Sequence, residues 1–410
     1  MTNVMEGIRI LEVAEHTFVP AASAILADWG AEVIKIEHVE RGDAMRGLGS
    51  VGLAGIGGTG VHVLLEHSNR GKQSIGLDLA QPEGLDVLYQ LAARCDVFLT
   101  NKMPGVRERL KIDVDDIRAA NPNIIYVRGT GYGSNGPDAD QGGYDFLAFW
   151  SRSGVGDTCT PADLDGFISQ PGAAFGDSIG AMTIAGGIAA ALLHRERTGE
   201  PHVVDVSLLG TGMWSLGATI ALSLQHGMPM KPGTAARGGA APGNPLIGPY
   251  RTKDGRWIAL SMLQGFHYWP EFVTRLGREE LITDPRFDSH EHLQENTSAA
   301  QEIVADELGS RTLTEWRERF AGMRGQWAPV QSTIEVTQDP QVPANGYLQT
   351  ATTSGGVEFT LVATPVQFDN VASSIRRAPD FNEHAEEILQ RELGLDWDAI
   401  IDLKTKGVVA

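Results

Sequence analysis

The first 210 or so residues repeat one alternation: a short apolar run, then a helical stretch, then another apolar run. Residues 8–13, 33–36, 97–99, 124–127 and 203–206 read as strands, and 21–29, 83–94, 115–120 and 178–193 as helices. Such βαβα order predicts a parallel sheet with helices on both faces, because each crossover must return over the sheet before the next strand is laid down. The fold class is therefore α/β.

The pattern changes near residue 225. Residues 226–245 are dense in Gly, Pro and Ala and read as a linker. Two apolar runs, 247–252 and 257–261, flank Lys253-Asp254-Gly255, and an Asp-Gly between such runs signals a hairpin. Helical stretches follow at 268–276, 299–308 and 314–320, so a smaller α+β region spans 226–330. A further strand at 357–362 and a helix at 383–393 lie in the last 80 residues.

Composition excludes several classes. The net charge of −19 argues against nucleic-acid binding, which needs a basic face to neutralise phosphates. It leaves room for a small anionic ligand at a local cluster of cations. The two cysteines, Cys95 and Cys159, form no CxxC pair, and a reducing cytoplasm fits them. The start of the chain has neither a basic segment nor an apolar one of signal-peptide type. The uncharged run 178–193 is 16 residues, short of the roughly 20 that span a bilayer, so a buried helix and no membrane partner are expected.

One motif misleads. Gly47-Leu48-Gly49-Ser50-Val51-Gly52 matches GxGxxG, but a dinucleotide loop needs its glycines directly between a strand and a helix. Here about ten residues separate them from the preceding strand, and a glycine run follows, so a flexible loop is expected. GxxxxGK[ST], GxSxG and HExxH do not occur, and His290-Glu291-His292 reads as a solvated helix start. No metal, nicotinamide or flavin is expected.

Several segments, in order, carry a resemblance. They are Gly7-Ile8-Arg9-Ile10-Leu11-Glu12-Val13, Ala27-Asp28-Trp29-Gly30-Ala31-Glu32-Val33-Ile34-Lys35-Ile36-Glu37, and Gly42-Asp43 with Arg46. Asn69-Arg70-Gly71-Lys72-Gln73-Ser74-Ile75, Pro104-Gly105-Val106 with Arg109-Leu110, and Gly143-Tyr144-Asp145 follow. Gly176-Asp177 through Arg195-Glu196-Arg197-Thr198-Gly199 to Val204-Asp205-Val206-Ser207-Leu208 is the most diagnostic block. Together they resemble the CoA-transferases of family III, which include formyl-CoA transferase, carnitine CoA-transferases and the related α-methylacyl-CoA racemases.

The resemblance implies a Rossmann-like large domain from 1–225 and 331–410, a small domain at 226–330, and an interlocked homodimer. It implies coenzyme A, carried as acyl-CoA, and a carboxylic acid as substrates, with Asp177 as the nucleophile. Read from the residues alone, Asp177 is also a favoured N-cap for the helix that follows, and a helix N-terminus favours its ionised form. The resemblance places the CoA nucleotide against His16, Thr17, Phe18, His38, Asn101, Lys102 and Arg109, with Arg70 and Lys72 as further phosphate contacts. Tyr144, Asp145 and a glycine flap containing Gly238 and Gly239 would position the acyl group. Tyr144 stands where the racemases carry a His. A phenol, ordinarily titrating near 10, is a poor base at neutral pH, so transfer is favoured over racemisation. An inactive CoA-binding protein and a CoA hydrolase are the remaining alternatives.

Overall fold

Strand alternation decides the layers. In β1, Arg9–Val13, Ile10 enters one core cluster and its neighbour Leu11 the other. Successive side chains of a strand point to opposite faces, so a sheet buried on both sides needs apolar residues at consecutive positions. The same division separates Leu99 from Phe98 and Val127 from Tyr126. The computed structural model describes residues 3–51, 60–231 and 242–410.

The chain divides into two compact units. The first comprises Met1–Asp157, Ile168–Met230 and Pro340–Ala410. Its sheet adds β2, Glu32–His38, β3, Gln73–Leu77, β4, Val97–Thr100, β5, Ile125–Thr130, and β6, Val203–Ser207. All pairings are parallel, in the order β3-β2-β1-β4-β5-β6. The α/β class and parallel sheet expected from the alternation are what forms. β3 was not expected, because Gln73-Ser74-Ile75-Gly76-Leu77 is short, half polar and contains a glycine. Gly76 is required there, since a Cβ would meet Ala410 at 2.9 Å and the Phe381 ring at 3.0 Å. The chain terminus covers this edge, with Val409 bridged to Leu77.

Helices Phe18–Asp28 and Phe175–Thr198 cover one face of the sheet. Helices Pro82–Ala92, Val114–Ala120, Ala385–Leu393 and Trp397–Thr405 cover the other. The Phe175–Thr198 helix has 24 residues rather than the expected 16, because it starts at Phe175 instead of Ser178 and continues past Leu193 through Arg195-Glu196-Arg197 to Thr198. It is long and apolar enough to cross a membrane by composition, but its stripe of Gly180, Ala181, Ile184, Ala185 and Ile188 is buried in the core. A Cβ on Gly180 would stand 2.3 Å from the Phe18 ring, so the two helices pack closely only because this residue has no side chain.

Residues 44–51, which contain most of the GxGxxG match, form 3₁₀ turns rather than an open loop. The Asp43 carboxylate starts them by accepting the Met45 N–H at 2.8 Å. Gly52 lies outside the described residues.

The second unit comprises Thr158–Phe167 and Lys231–Asp339. The expected hairpin forms as β7, Ile247–Arg251, and β8, Trp257–Ser261, paired antiparallel. Gly255 turns the chain at φ 76°, and β9, Trp327–Pro329, adds a third strand. Helices Gly265–Leu276, Thr297–Leu308 and Leu313–Arg319 bury Trp269, Phe272 and Trp316 in this unit's own core.

Candidate active site

Strand order places a crevice. The chain leaves β1 for β2 on one side and later reaches β4 on the other. In doubly wound sheets ligands enter where the carboxyl ends of such diverging strands part. A cavity of about 380 Å³ opens there. Its walls are the loops after β1 (Glu15, His16, Phe18), after β4 (Asn101, Lys102, Met103) and after β5 (Thr130, Gly131), with Arg109, Tyr144 and Asp177.

The first two loops are tied together. Asn101 accepts the Glu15 N–H at 3.1 Å and donates to the Glu15 carbonyl at 2.7 Å. Glu15 pairs with Lys102 at 2.7 Å and with Arg41 at 3.3 Å. The Arg109 side chain, exposed on the cavity, makes no hydrogen bond or ion pair among the described residues. It is a cation without a protein counter-ion, as an anionic ligand requires. The His16 ring meets Tyr144 edge-on, with centroids 5.5 Å apart.

Asp177 is the third residue of the Phe175–Thr198 helix, not its cap. The capping position is Ala174, held at φ 61° without a side-chain bond. Its function passes to Asp145, whose carboxylate oxygens accept the Gly176 N–H at 3.0 and 3.1 Å. Gly176 leaves room for that approach: a Cβ would lie 2.2 Å from the Phe149 ring and 2.4 Å from Asp145 Oδ1. The helix N-terminus thus stabilises Asp145 rather than Asp177. Burial, and secondly the Asp145 charge, push the Asp177 carboxyl up to about 7. This reverses the expectation that the helix end would favour its ionised form.

A family model for CoA-transferase family III matches residues 5–385. The chain belongs to this family. It is 30% identical to the (R)-2-hydroxy-4-methylpentanoate CoA-transferase of Clostridioides difficile over 409 residues, covering 99% of each. It is 30% identical to the cinnamoyl-CoA:phenyllactate CoA-transferase of Clostridium sporogenes, covering 98% of this chain and 96% of that one. Among solved structures, a CAIB/BAIF family protein from Brucella suis superposes with a TM-score of 0.79 at 26% identity, over 96% of this chain and 100% of that one.

Of the residues singled out from the family resemblance, the cavity gathers His16, Phe18, Asn101, Lys102, Arg109, Tyr144 and Asp177. Asp145 lies beneath it, 7% exposed. Others lie elsewhere. Arg70 is buried against Asp28 at 2.8 Å, and Lys72 against Glu12 at 2.8 Å, the Pro20 carbonyl at 2.8 Å and Asn69 at 3.0 Å. Their charges are consumed inside the fold, which corrects their assignment to CoA phosphates. Thr17 is buried. His38 ends β2, exposed, and accepts the Glu40 N–H at 3.2 Å outside this cavity. Gly238 and Gly239 lie outside the described residues. The family motifs did not point to Glu15, Arg41 or Gln141 in the wall. Glu15, next to His16 after β1, was the most findable.

Proposed function

We propose that the chain moves coenzyme A from an acyl-CoA to a carboxylic acid, with Asp177 as the nucleophile. The observation that carries this reading is a carboxyl group with no counter-ion among the described residues, pushed by burial up to about 7, in a cavity whose rim supplies Arg109 and Lys102. An Asp177 oxygen attacks the thioester carbonyl, the C–S bond breaks, and the products are a mixed anhydride and CoA thiolate. The thiolate attacks the aspartyl carbonyl, releasing the donor acid and leaving an enzyme–CoA thioester. An acceptor carboxylate displaces the thiolate to form a second anhydride. The thiolate then attacks the acceptor acyl carbon, forming the new acyl-CoA and returning Asp177 to a carboxylate. Each intermediate is an activated acyl group, so no nucleotide hydrolysis is required, and water must be excluded. Tyr144, at the rim, would position the acyl group.

One observation favours a second reading. His16 lines the same cavity as Asp177, and a His and an Asp across an α-carbon are what a racemase uses. One experiment separates the two: the protein is mixed in D₂O with acyl-CoAs and free acids, and the CoA species are weighed by mass spectrometry. New acyl-CoA pairs are expected. An unchanged acyl-CoA that gains one deuterium would establish racemisation instead.

An interlocked homodimer is part of the proposal. Helix Gly217–His226 buries none of its residues in the single chain although it carries Ile220, Leu222 and Leu224, and Trp214 is 84% exposed. Such apolar surface calls for a covering partner. Sedimentation at low concentration should give a dimer, and an active monomer would refute this part.

A further inference from the structure

Beneath the cavity lie four charges that never reach it. Glu12, Lys35 and Asp43 are fully buried, as is the Lys72 side chain. Lys35 Nζ stands 2.7 Å from Glu12 and 2.8 Å from Asp43, and Lys72 Nζ stands 2.8 Å from the other Glu12 oxygen. Two carboxylates thus face two amino groups, and burial pushes the Lys72 amine down to about 7. Apolar side chains of similar volume often stabilise a core as well as such a cluster does, so its presence raises the question of what it specifies.

Its bonds to the main chain answer that. Lys35 Nζ donates to the Ala14 carbonyl at 2.8 Å, Asp43 Oδ1 accepts the His16 N–H at 3.0 Å, and Lys72 Nζ donates to the Pro20 carbonyl at 2.8 Å. All three act on residues 14–20, the stretch that carries His16 and Phe18 into the cavity wall. The fixing is needed because His16 sits at φ 68°, a left-handed conformation that residues with a Cβ seldom adopt unless surrounding bonds hold them there. In that conformation the His16 amide points inward to Asp43 while its ring meets Tyr144 at the rim.

We propose that Asp43 is a positioning residue which, anchored by Lys35, holds the His16 backbone so that the wall of residues 16–18 receives the acyl-CoA. Asp43 does not line the cavity and acts only through His16. The proposal rests on the transferase reading for its ligand, but not for its geometry.

The test uses two measurements. In hydrogen exchange on the intact wild-type protein, the His16 amide should exchange as slowly as the β1 amides, because its acceptor is buried. Exchange at the rate of an exposed loop would overturn the proposal whatever the activity. In steady-state kinetics, Asp43→Asn sets an amide against the Lys35 ammonium and loosens the tether. It should raise KM for acyl-CoA about tenfold, with kcat changed by less than about threefold. A folded variant with lower thermal stability and unchanged KM would show a purely structural role and overturn it. If Asp43→Asn does not fold, the wild-type exchange measurement decides. If no acyl-CoA is turned over at all, the transferase reading fails while the His16 exchange result still stands or falls alone.

Discussion

Glu12 and Asp177 are both carboxylates withdrawn from water in the same unit, and the fold treats them oppositely. Burial alone would push Glu12 up, but Lys35 and Lys72 outweigh it and hold the group below its ordinary value. Asp177 has no cation in that place among the described residues; burial pushes it up, and its charged neighbour, Asp145, has the same sign. A buried charge with full partners specifies structure, whereas one left without a partner is available for chemistry. Substitutions in the two places should therefore separate activity from stability.

The largest effect is expected at Asp177. Asp177→Asn should lower turnover by about a thousandfold or more while leaving the fold intact, measured by product assay and circular dichroism. The same variant should be more stable than the wild type. Unfolded, Asp177 ionises in the ordinary carboxylate range; folded, it keeps its proton up to about 7. Between those values the folded state binds more protons, so wild-type stability falls as pH rises through that window. The Tm advantage of the variant should therefore grow from about pH 4 to about pH 7 and level off above.

Lys35→Met should do the reverse. It leaves Asp43 buried without its cation, and should cost about 3–5 kcal/mol in chemical denaturation. A stable Lys35→Met protein would break the comparison.

Asp145→Asn sharpens it. The carboxamide oxygen can still accept the Gly176 N–H, but the like charge beside Asp177 is gone. The acid limb of the kcat/KM profile, expected near 7 in the wild type, should move to lower pH. An unmoved limb would mean that burial alone sets the Asp177 value.

The smallest effects are expected at the rim. Arg109→Ala should raise KM for acyl-CoA about tenfold through a lost phosphate contact. His38→Ala, outside the cavity, should change it less than about twofold. Equal effects would remove the distinction between residues of the cavity and residues outside it.

Legibility followed the strength of the local signal. The strands of apolar runs, the Asp-Gly hairpin and the helices of the second unit could be read because burial on both sheet faces and turn chemistry each leave a mark in sequence. β3 left none, because its place depends on Phe381 and Ala410, more than 300 positions away. Asp177 was marked by its motif, but its environment was not. The Asp145 bond to Gly176 spans 31 positions and reverses the expected effect of the helix end. Arg70 and Lys72 looked like phosphate ligands because charge is visible in a sequence and burial is not. Their partners Asp28 and Glu12 lie 42 and 60 positions away.

Oxygen labelling shows directly whether the Asp177 carboxylate enters the covalent path. The wild-type protein would turn over an acyl-CoA with an acceptor acid carrying ¹⁸O in its carboxylate, and the peptide containing Asp177 would then be weighed. In the proposed sequence the bridging oxygen of the second anhydride comes from the acceptor and stays with the aspartate when the thiolate attacks the acyl carbon. ¹⁸O should therefore accumulate at Asp177 with turnover. Sustained formation of new acyl-CoA with no label in that peptide would contradict it.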